Sequence, residues 1–275
     1  MKGIYDIHTH IIPGVDDGAD TLKTAKKMIR REYADGVRTI VLTPHFRKGM
    51  FEPPMTKVQA GYQKVQELAA ELAPDLQVLL GCEFHVNTEM VQMLKHGERP
   101  TLNGTSCVLT EFSQLHTFQF IENSCHELLT NGYTPVIAHA ERYPILQKNM
   151  DYLERLHDMG AYIQMNADSI SGADGLRMKW FCKKVMKRDL LHFVGSDAHN
   201  MKNRMPQMGR CAEYMEKHMG CDYTKQILIR NPKKMFTENS SVAGIRRNQS
   251  FSIFFMPFEK LNVIVERNVY SCENA

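Results

Sequence analysis

A chain of 275 residues with 43% hydrophobic and 24% charged residues has the make-up of a soluble globular protein able to bury one large core. Its net charge of +3 is too small to argue for nucleic acid, and its densest basic cluster, Lys183, Lys184, Lys187 and Arg188, reads as a solvated helix face. No apolar run reaches membrane-spanning length and the first polar motif starts too early for a cleavable signal peptide, so a cytoplasmic protein without membrane insertion is expected. Seven cysteines, an odd number with no C-x-x-C pair, argue against a disulfide framework and a thiolate zinc site. Most are expected to be small buried hydrophobes.

Residues 4–10 read as a strand that carries Asp6-Ile7-His8-Thr9-His10. Residues two apart on a strand share a face, so His8 and His10 can reach one metal ion together. A turn at Pro13-Gly14 then brings Asp16 or Asp17 back to the same place, and the sequence leaves open which. After a helical pattern over 21–35, an apolar run over 39–44 ends at His45. Between Thr56 and Pro74, Val58, Tyr62, Val65, Leu68, Ala69 and Leu72 recur at helical steps, and Pro74 closes the run. The next runs, 78–82 and 108–110, end at Glu83 and Glu111; a helical pattern over 117–131 follows. The run 135–138 ends at His139, and beyond a helix over 150–159 the run 162–165 ends at Asn166, the weakest ligand candidate of the set. A helix over 174–189, a run over 191–196 ending in Asp197-Ala198-His199, and a helix over 203–218 complete the alternation.

Seven strands alternating with helices imply parallel pairing, in a barrel or a doubly wound sheet. Both put sites at the carboxyl ends of strands. Only closure brings the ends of all seven strands around one centre, so the reading is an α/β chain folded as a single-domain, TIM-like (β/α)7 barrel. Any one of these histidines would more often be structural, and a lone glutamate could be an ion-pair partner. Their shared position at strand ends is what counts, because a carboxylate there is costly to bury unless paired or metal-bound. The histidines at 85, 96, 116, 126, 157, 192 and 218 lack that placement and read as structural or surface residues.

The ordered set D-I-H-T-H-I-I-P-G-V-D-D-G-A, T-P-H at 43–45, G-C-E at 81–83, H-A-E-R-Y at 139–143 and S-D-A-H-N at 196–200 resembles the polymerase-and-histidinol-phosphatase (PHP) superfamily. Within it the chain is most similar to the bacterial capsular-polysaccharide tyrosine-protein phosphatase branch, over about residues 1–236. The resemblance implies a distorted barrel holding a cluster of about three metal ions, the multi-metal arrangement suited to displacement at phosphorus. Carried over by position, His8, His10, Glu83 and Asp197 would hold one ion. Glu83 would bridge to a second, completed by Glu111 and His139, and Asp17, His45 and His199 would hold a third. Asp16 could exchange roles with Asp17. Arg142 and Arg204 match the phosphate-binding arginines, and Asp6 could orient the histidines from behind. Imidazole and carboxylate without thiolate suit manganese, iron, zinc or cobalt and disfavour calcium; manganese is the leading expectation and magnesium is also admitted.

The implied activity is that of a metal-dependent protein-tyrosine phosphatase working by metal-activated hydroxide. His45 is a proton source only if the metals leave it free. The implied partner is a phosphotyrosine protein, a bacterial tyrosine kinase with a tyrosine-rich tail in capsular or exopolysaccharide synthesis; the sequence leaves an oligomer open. The alternatives are a small-molecule phosphomonoesterase such as a histidinol-phosphate phosphatase, and a PHP module without catalysis, which a complete ligand set argues against. Cys182 and Arg188 match the C-x5-R spacing of thiol phosphatases, but the segment lacks glycine and lies in a helical pattern, so it reads as coincidence. Beyond residue 236 the resemblance stops: 237–249 read as a linker, and 251–255 and 262–266 have strand-like composition without chemistry, leaving 237–275 an extension of unknown role.

Overall fold

Two of the seven expected strands are broken in the folded chain, and both breaks lie where candidate ligands emerge. A computed structural model describes residues 1–238 of the protein. Its strands are β1 (Ile4–Thr9), β2 (Val37–Leu42), β3 (His45–Phe46), β4 (Gln77–Leu80), β5 (Glu83–His85), β6 (Cys107–Glu111), β7 (Thr134–Ile137), β8 (Tyr162–Asn166) and β9 (Phe193–Gly195). They form a three-stranded sheet, β1-β2-β4, and a six-stranded sheet, β3-β5-β6-β7-β8-β9, with parallel pairing throughout.

Pro44 separates β2 from β3, because it has no N–H to give to the ladder. At the second break, Gly81-Cys82, a Cβ on Gly81 would meet Leu102 Cδ2 at 2.8 Å. Backbone hydrogen bonds carry the pairing across both breaks: Thr43 N to Thr9 O at 2.9 Å, Gly81 N to Leu42 O at 2.8 Å and Glu83 N to Pro44 O at 3.1 Å. Seven strand positions therefore survive. The first and last meet through Asp197 N to His8 O at 2.8 Å and His10 N to Ala198 O at 2.9 Å. The result is a single-domain, distorted (β/α)7 barrel.

The crossover helices are Leu22–Ala34, Met55–Leu72, Phe118–Thr130, Met150–Met159, Leu176–Lys187 and Met208–Met219. Thr21, Thr117 and Asn149 cap three of them by accepting the N–H of Thr24, Phe120 and Asp151. Val58, Val65 and Ala69 are the buried stripe of the second, as its apolar spacing implied. The last departs from the sequence reading, which started it at 203. Asn200 Oδ1 instead takes the N–H of Lys202, Asn203 and Arg204, so the chain turns as a loop until Met208.

One core cluster joins Ile7, Val41, Leu79, Leu109, Val136 and Phe193 from six strands, and is the filling of the barrel. Met235 of the helix Asn231–Glu238 belongs to the same cluster, and Phe236 stacks on Tyr5 near the start of β1. That helix stoppers the amino end and leaves the carboxyl end for chemistry. The larger cluster packs the outer strand faces under the helices. Cys82, Cys107, Cys125, Cys182 and Cys211 are buried and Cys221 is exposed. No helix among the described residues is long and apolar enough to cross a membrane. The strand-like segments at 251–255 and 262–266, Cys272, and all but the first two residues of the linker lie outside the described residues.

Candidate metal centre

The carboxyl ends of the strands converge on one buried carboxylate. Glu83 Oε2 lies 3.1 Å from His8 Nε2, 3.2 Å from His10 Nε2 and 2.9 Å from His45 Nδ1, and its Oε1 lies 2.8 Å from His139 Nε2. Three groups of donor atoms each fit within 4.8 Å: His8, His10, Glu83 and Asp197; His45, Glu83 and Glu111; and His10, His45 and His199. The first is the first implied set unchanged. In the second, Glu83 and Glu111 meet His45, while His139 approaches from the far oxygen of Glu83. In the third, Asp17 Oδ1 stands 3.4 Å from both His45 Nε2 and His199 Nε2. All nine sequence-selected residues are thus brought together.

The open alternative at 16 and 17 has a geometric difference behind it. Asp16 is turned inward: its Oδ2 accepts from His10 Nδ1 at 2.8 Å and from His45 N at 3.0 Å, and its Oδ1 accepts from Gly18 N at 2.9 Å. The turn is so tight that a Cβ on Gly18 would lie 2.2 Å from His10 O, hence the glycine. Asp17, half exposed, faces the cluster instead. The other rings are oriented in the same way from behind. Gln164 Oε1 accepts from His8 Nδ1 at 3.2 Å and from His139 N at 2.8 Å, and the carbonyl of Asp197 accepts from His199 Nδ1 at 2.9 Å. His8, His10 and His199 are therefore all held with Nε2 aimed at the centre. Asp6 Oδ1 ties β1 to β9 by accepting from His8 N and Ser196 N. Asn166 donates to Asp197 and so acts as a support rather than a donor to the cluster.

Several features mark the donor set as one that fits divalent cations. His8 Nε2 and His10 Nε2 face each other at 3.1 Å, two lone pairs that repel unless a cation or proton lies between. Buried His45 Nδ1, Glu83 Oε2, Glu111 Oε2, His139 Nδ1 and His199 Nε2 have no hydrogen-bond partner, a concentration that native interiors avoid. Burial opposes a charge on His8, yet the Glu83 and Asp197 carboxylates raise it to about 9. Burial likewise opposes the charge of Asp197, but His8, Arg142 and Arg204 hold it far below the usual carboxylate range. Burial and the neighbouring His10 push His199 down to about 4, keeping its ring neutral. Strain is concentrated here too: His139 and Asp197, at the ends of β7 and β9, adopt left-handed backbone with φ of 33° and 52°.

Two guanidiniums cap the cluster. Arg142 Nη1 donates to Asp197 Oδ2 at 2.6 Å, and Arg204 Nη2 to Asp197 Oδ1 at 2.8 Å. Both line a cavity of about 310 Å³ over the donor atoms, walled by Met50, Phe51, Phe112 and Tyr143. Phe51 stacks on His45 with centroids 5.3 Å apart.

The family described as "Capsular polysaccharide synthesis, CpsB/CapC" matches residues 4–237. The chain belongs to this family. The tyrosine-protein phosphatase CpsB of Streptococcus pneumoniae is 37% identical over 240 residues, which span 86% of this chain and 99% of that one. Tyrosine-protein phosphatase YwqE of Bacillus subtilis is 34% identical over 255 residues, 92% of this chain and 95% of its own. A solved chain from the pair YwqE and CpsB, described as unique metal-dependent tyrosine phosphatases, superposes with a TM-score of 0.76 at 32% identity, covering 90% of this chain and 96% of that one.

In this CpsB/CapC chain the C-x5-R match is structurally inert. Cys182 is fully buried in the helix Leu176–Lys187, where burial raises its thiol well above the ordinary value, and Arg188 pairs with Glu154 on the surface. Gln164, Arg47 and Phe51 escaped the sequence reading. Gln164 carried a usable signal, a polar residue inside an apolar strand. Arg47 and Phe51 lie in a short turn with no periodicity to read.

Proposed function

We propose that this chain is a metal-dependent protein-tyrosine phosphatase. The observation that carries the reading is Glu83 at the focus of four imidazoles, beneath an aromatic-walled cavity that two arginines share. His8, His10, Glu83 and Asp197 would hold one divalent ion, Glu83, Glu111 and His139 a second, and Asp17, His45 and His199 a third, with manganese as the leading candidate. Ions bound there supply Lewis acidity and lower the pKa of water into the neutral range.

The protein's own side chains do the rest. Arg142 and Arg204 each spend one hydrogen bond on Asp197 and keep further N–H donors for phosphoryl oxygens and the charge of the transition state. Met50, Phe51, Phe112 and Tyr143 give the cavity an apolar wall suited to an aryl group. A tyrosine hydroxyl has a pKa of about 10, so it departs as phenolate far more readily than an alkoxide and needs no strong acid. His45, stacked under Phe51, is counted among the donors of the third ion, so it serves as a proton source only where the metals leave one of its nitrogens free. The physiological substrate we place in capsular or exopolysaccharide synthesis, as the phosphorylated tail of a bacterial tyrosine kinase, supported by the family description and the named activity of the relatives.

The test is a comparison of kcat/KM on phosphotyrosyl peptides, phosphoseryl peptides and histidinol phosphate, with and without chelator. Phosphotyrosyl peptides are expected to be hydrolysed fastest, with chelation abolishing the rate and manganese restoring it. A higher kcat/KM on histidinol phosphate would reject the tyrosine-phosphatase reading in favour of a small-molecule phosphomonoesterase.

A further inference from the structure

A third guanidinium lines the cavity, and no motif of the sequence drew attention to it. Arg47 is half-buried, and among the described residues its side chain makes no hydrogen bond or ion pair, whereas Arg142 and Arg204 are both tied to Asp197. It stands on a different wall from them, where its charge acts on Glu111 and His85. The segment that presents it is rigid. Arg47 N to Phe51 O and Phe51 N to Arg47 O are both 2.8 Å, Met50 N reaches Arg47 O at 3.0 Å, and Gly49 N donates to Glu52 Oε1 at 2.7 Å. Lys48 anchors the turn to Glu89 at 2.6 Å. Arg47 and Phe51 are opposed across this turn in an antiparallel bridge, so their side chains share a side. The guanidinium therefore borders the aryl wall, away from the Asp197 pole where the other two arginines converge.

The cavity, about 310 Å³, is at the small end of ligand pockets and has room for one aryl phosphate. The rest of a peptide must lie across its rim, where Arg47, the 60% exposed Met50 and Gln114 are met. A planar guanidinium with no partner among the described residues, carried on a hydrogen-bonded turn, matches a group with two coplanar oxygens or a phosphoryl group. We propose that Arg47 is a specificity residue that reads an anionic group beside the phosphotyrosine in the substrate chain, either an Asp or Glu carboxylate or a second phosphoryl group. The inference rests on the tyrosine-phosphatase reading and goes beyond it to the sequence around the target tyrosine.

The experiment uses the manganese-loaded full chain and four substrates: one phosphotyrosyl peptide with Asp and Glu flanks, its Asn and Gln counterpart, a doubly phosphorylated peptide with neutral flanks, and p-nitrophenyl phosphate. The wild type is expected to favour an anionic flank by about tenfold in kcat/KM, carried by KM, the scale of one charge-assisted hydrogen bond. Arg47→Glu is expected to reverse that preference and Arg47→Lys to keep part of it, with the metal content of each variant measured alongside. The acidic and doubly phosphorylated peptides tell the two anion sources apart. An unchanged preference in Arg47→Glu would overturn the proposal. So would an equal loss on all four substrates, p-nitrophenyl phosphate included, which would make Arg47 a ligand of the reacting phosphate. Absence of wild-type turnover on every phosphotyrosyl peptide would overturn the phosphatase reading and this proposal with it.

Discussion

Replacing Asp16 by Asn separates an orienting carboxylate from a ligating one. Three donors converge on Asp16: His10 Nδ1 at 2.8 Å, Gly18 N at 2.9 Å and His45 N at 3.0 Å. Although burial works against its charge, the facing His10 and the His45 amide hold the carboxyl below the usual range. Asparagine offers one oxygen, so its NH2 must face a donor. With the oxygen on His10, the Gly18 N–H loses its acceptor and the turn loosens. With the amide reversed, His10 is driven to the tautomer that carries its proton on Nε2, the nitrogen aimed at Glu83. Either way about one charge-assisted hydrogen bond is lost, about 1.5–3 kcal/mol, equivalent to roughly ten- to a hundredfold in metal affinity. The assay is metal per chain by plasma mass spectrometry after dialysis against graded manganese, with the manganese activation curve of aryl phosphate hydrolysis beside it. Asp16→Asn should raise the manganese midpoint by roughly ten- to a hundredfold and recover at saturation, while Asp17→Asn should lower the number of ions bound. A wild-type midpoint in Asp16→Asn, or a missing ion there with Asp17→Asn unaffected, would refute the assignment.

Three further outcomes follow from the same geometry. Arg142→Ala should slow turnover of phosphotyrosyl peptides by roughly a hundredfold, the worth of one strong transition-state donor, with metal content intact because Arg204 and Asn166 still hold Asp197; an equal loss of metal would recast Arg142 as structural. Cys182→Ser should stay within about twofold of the wild-type rate, since a fully buried helical thiol touches no substrate, and inactivation of a folded, metal-replete variant would reinstate thiol chemistry. His192 accepts the Ile163 N–H, and burial together with His157 pushes it down to about 4. A base depressed on folding binds its proton more readily in the unfolded chain, so its contribution is lost as pH falls from about 6.5 toward 4. The urea midpoint should therefore drop between pH 7 and pH 5, and drop less in His192→Asn, which keeps an acceptor without titrating; equal drops would assign the acid sensitivity elsewhere.

Local chemistry settled a good deal before folding was considered. Two histidines at a two-residue step, a proline-glycine turn behind them, and runs of β-branched residues each ending in a polar side chain are legible because the strand period and the turn residues act over a few positions. They sufficed to name a barrel and to bring the strand-end candidates around one centre, Asn166 among them and Asp16 or Asp17 left open; the set of nine donors came with the family resemblance. Other decisions belong to the tertiary structure. That Asp16 looks back at His10 while Asp17 faces the cluster depends on where the His45 amide arrives, 29 residues later. Gln164 can set the ring of His8 only because closure of the barrel brings the two side chains together across 156 residues, and Asp6 reaches Ser196 across 190. Arg47 and Phe51 come to the cavity rim by a turn whose residues announce no period. Hydrogen bonds of this kind depend on distance in space, and closure of the barrel decides which remote residues come within reach.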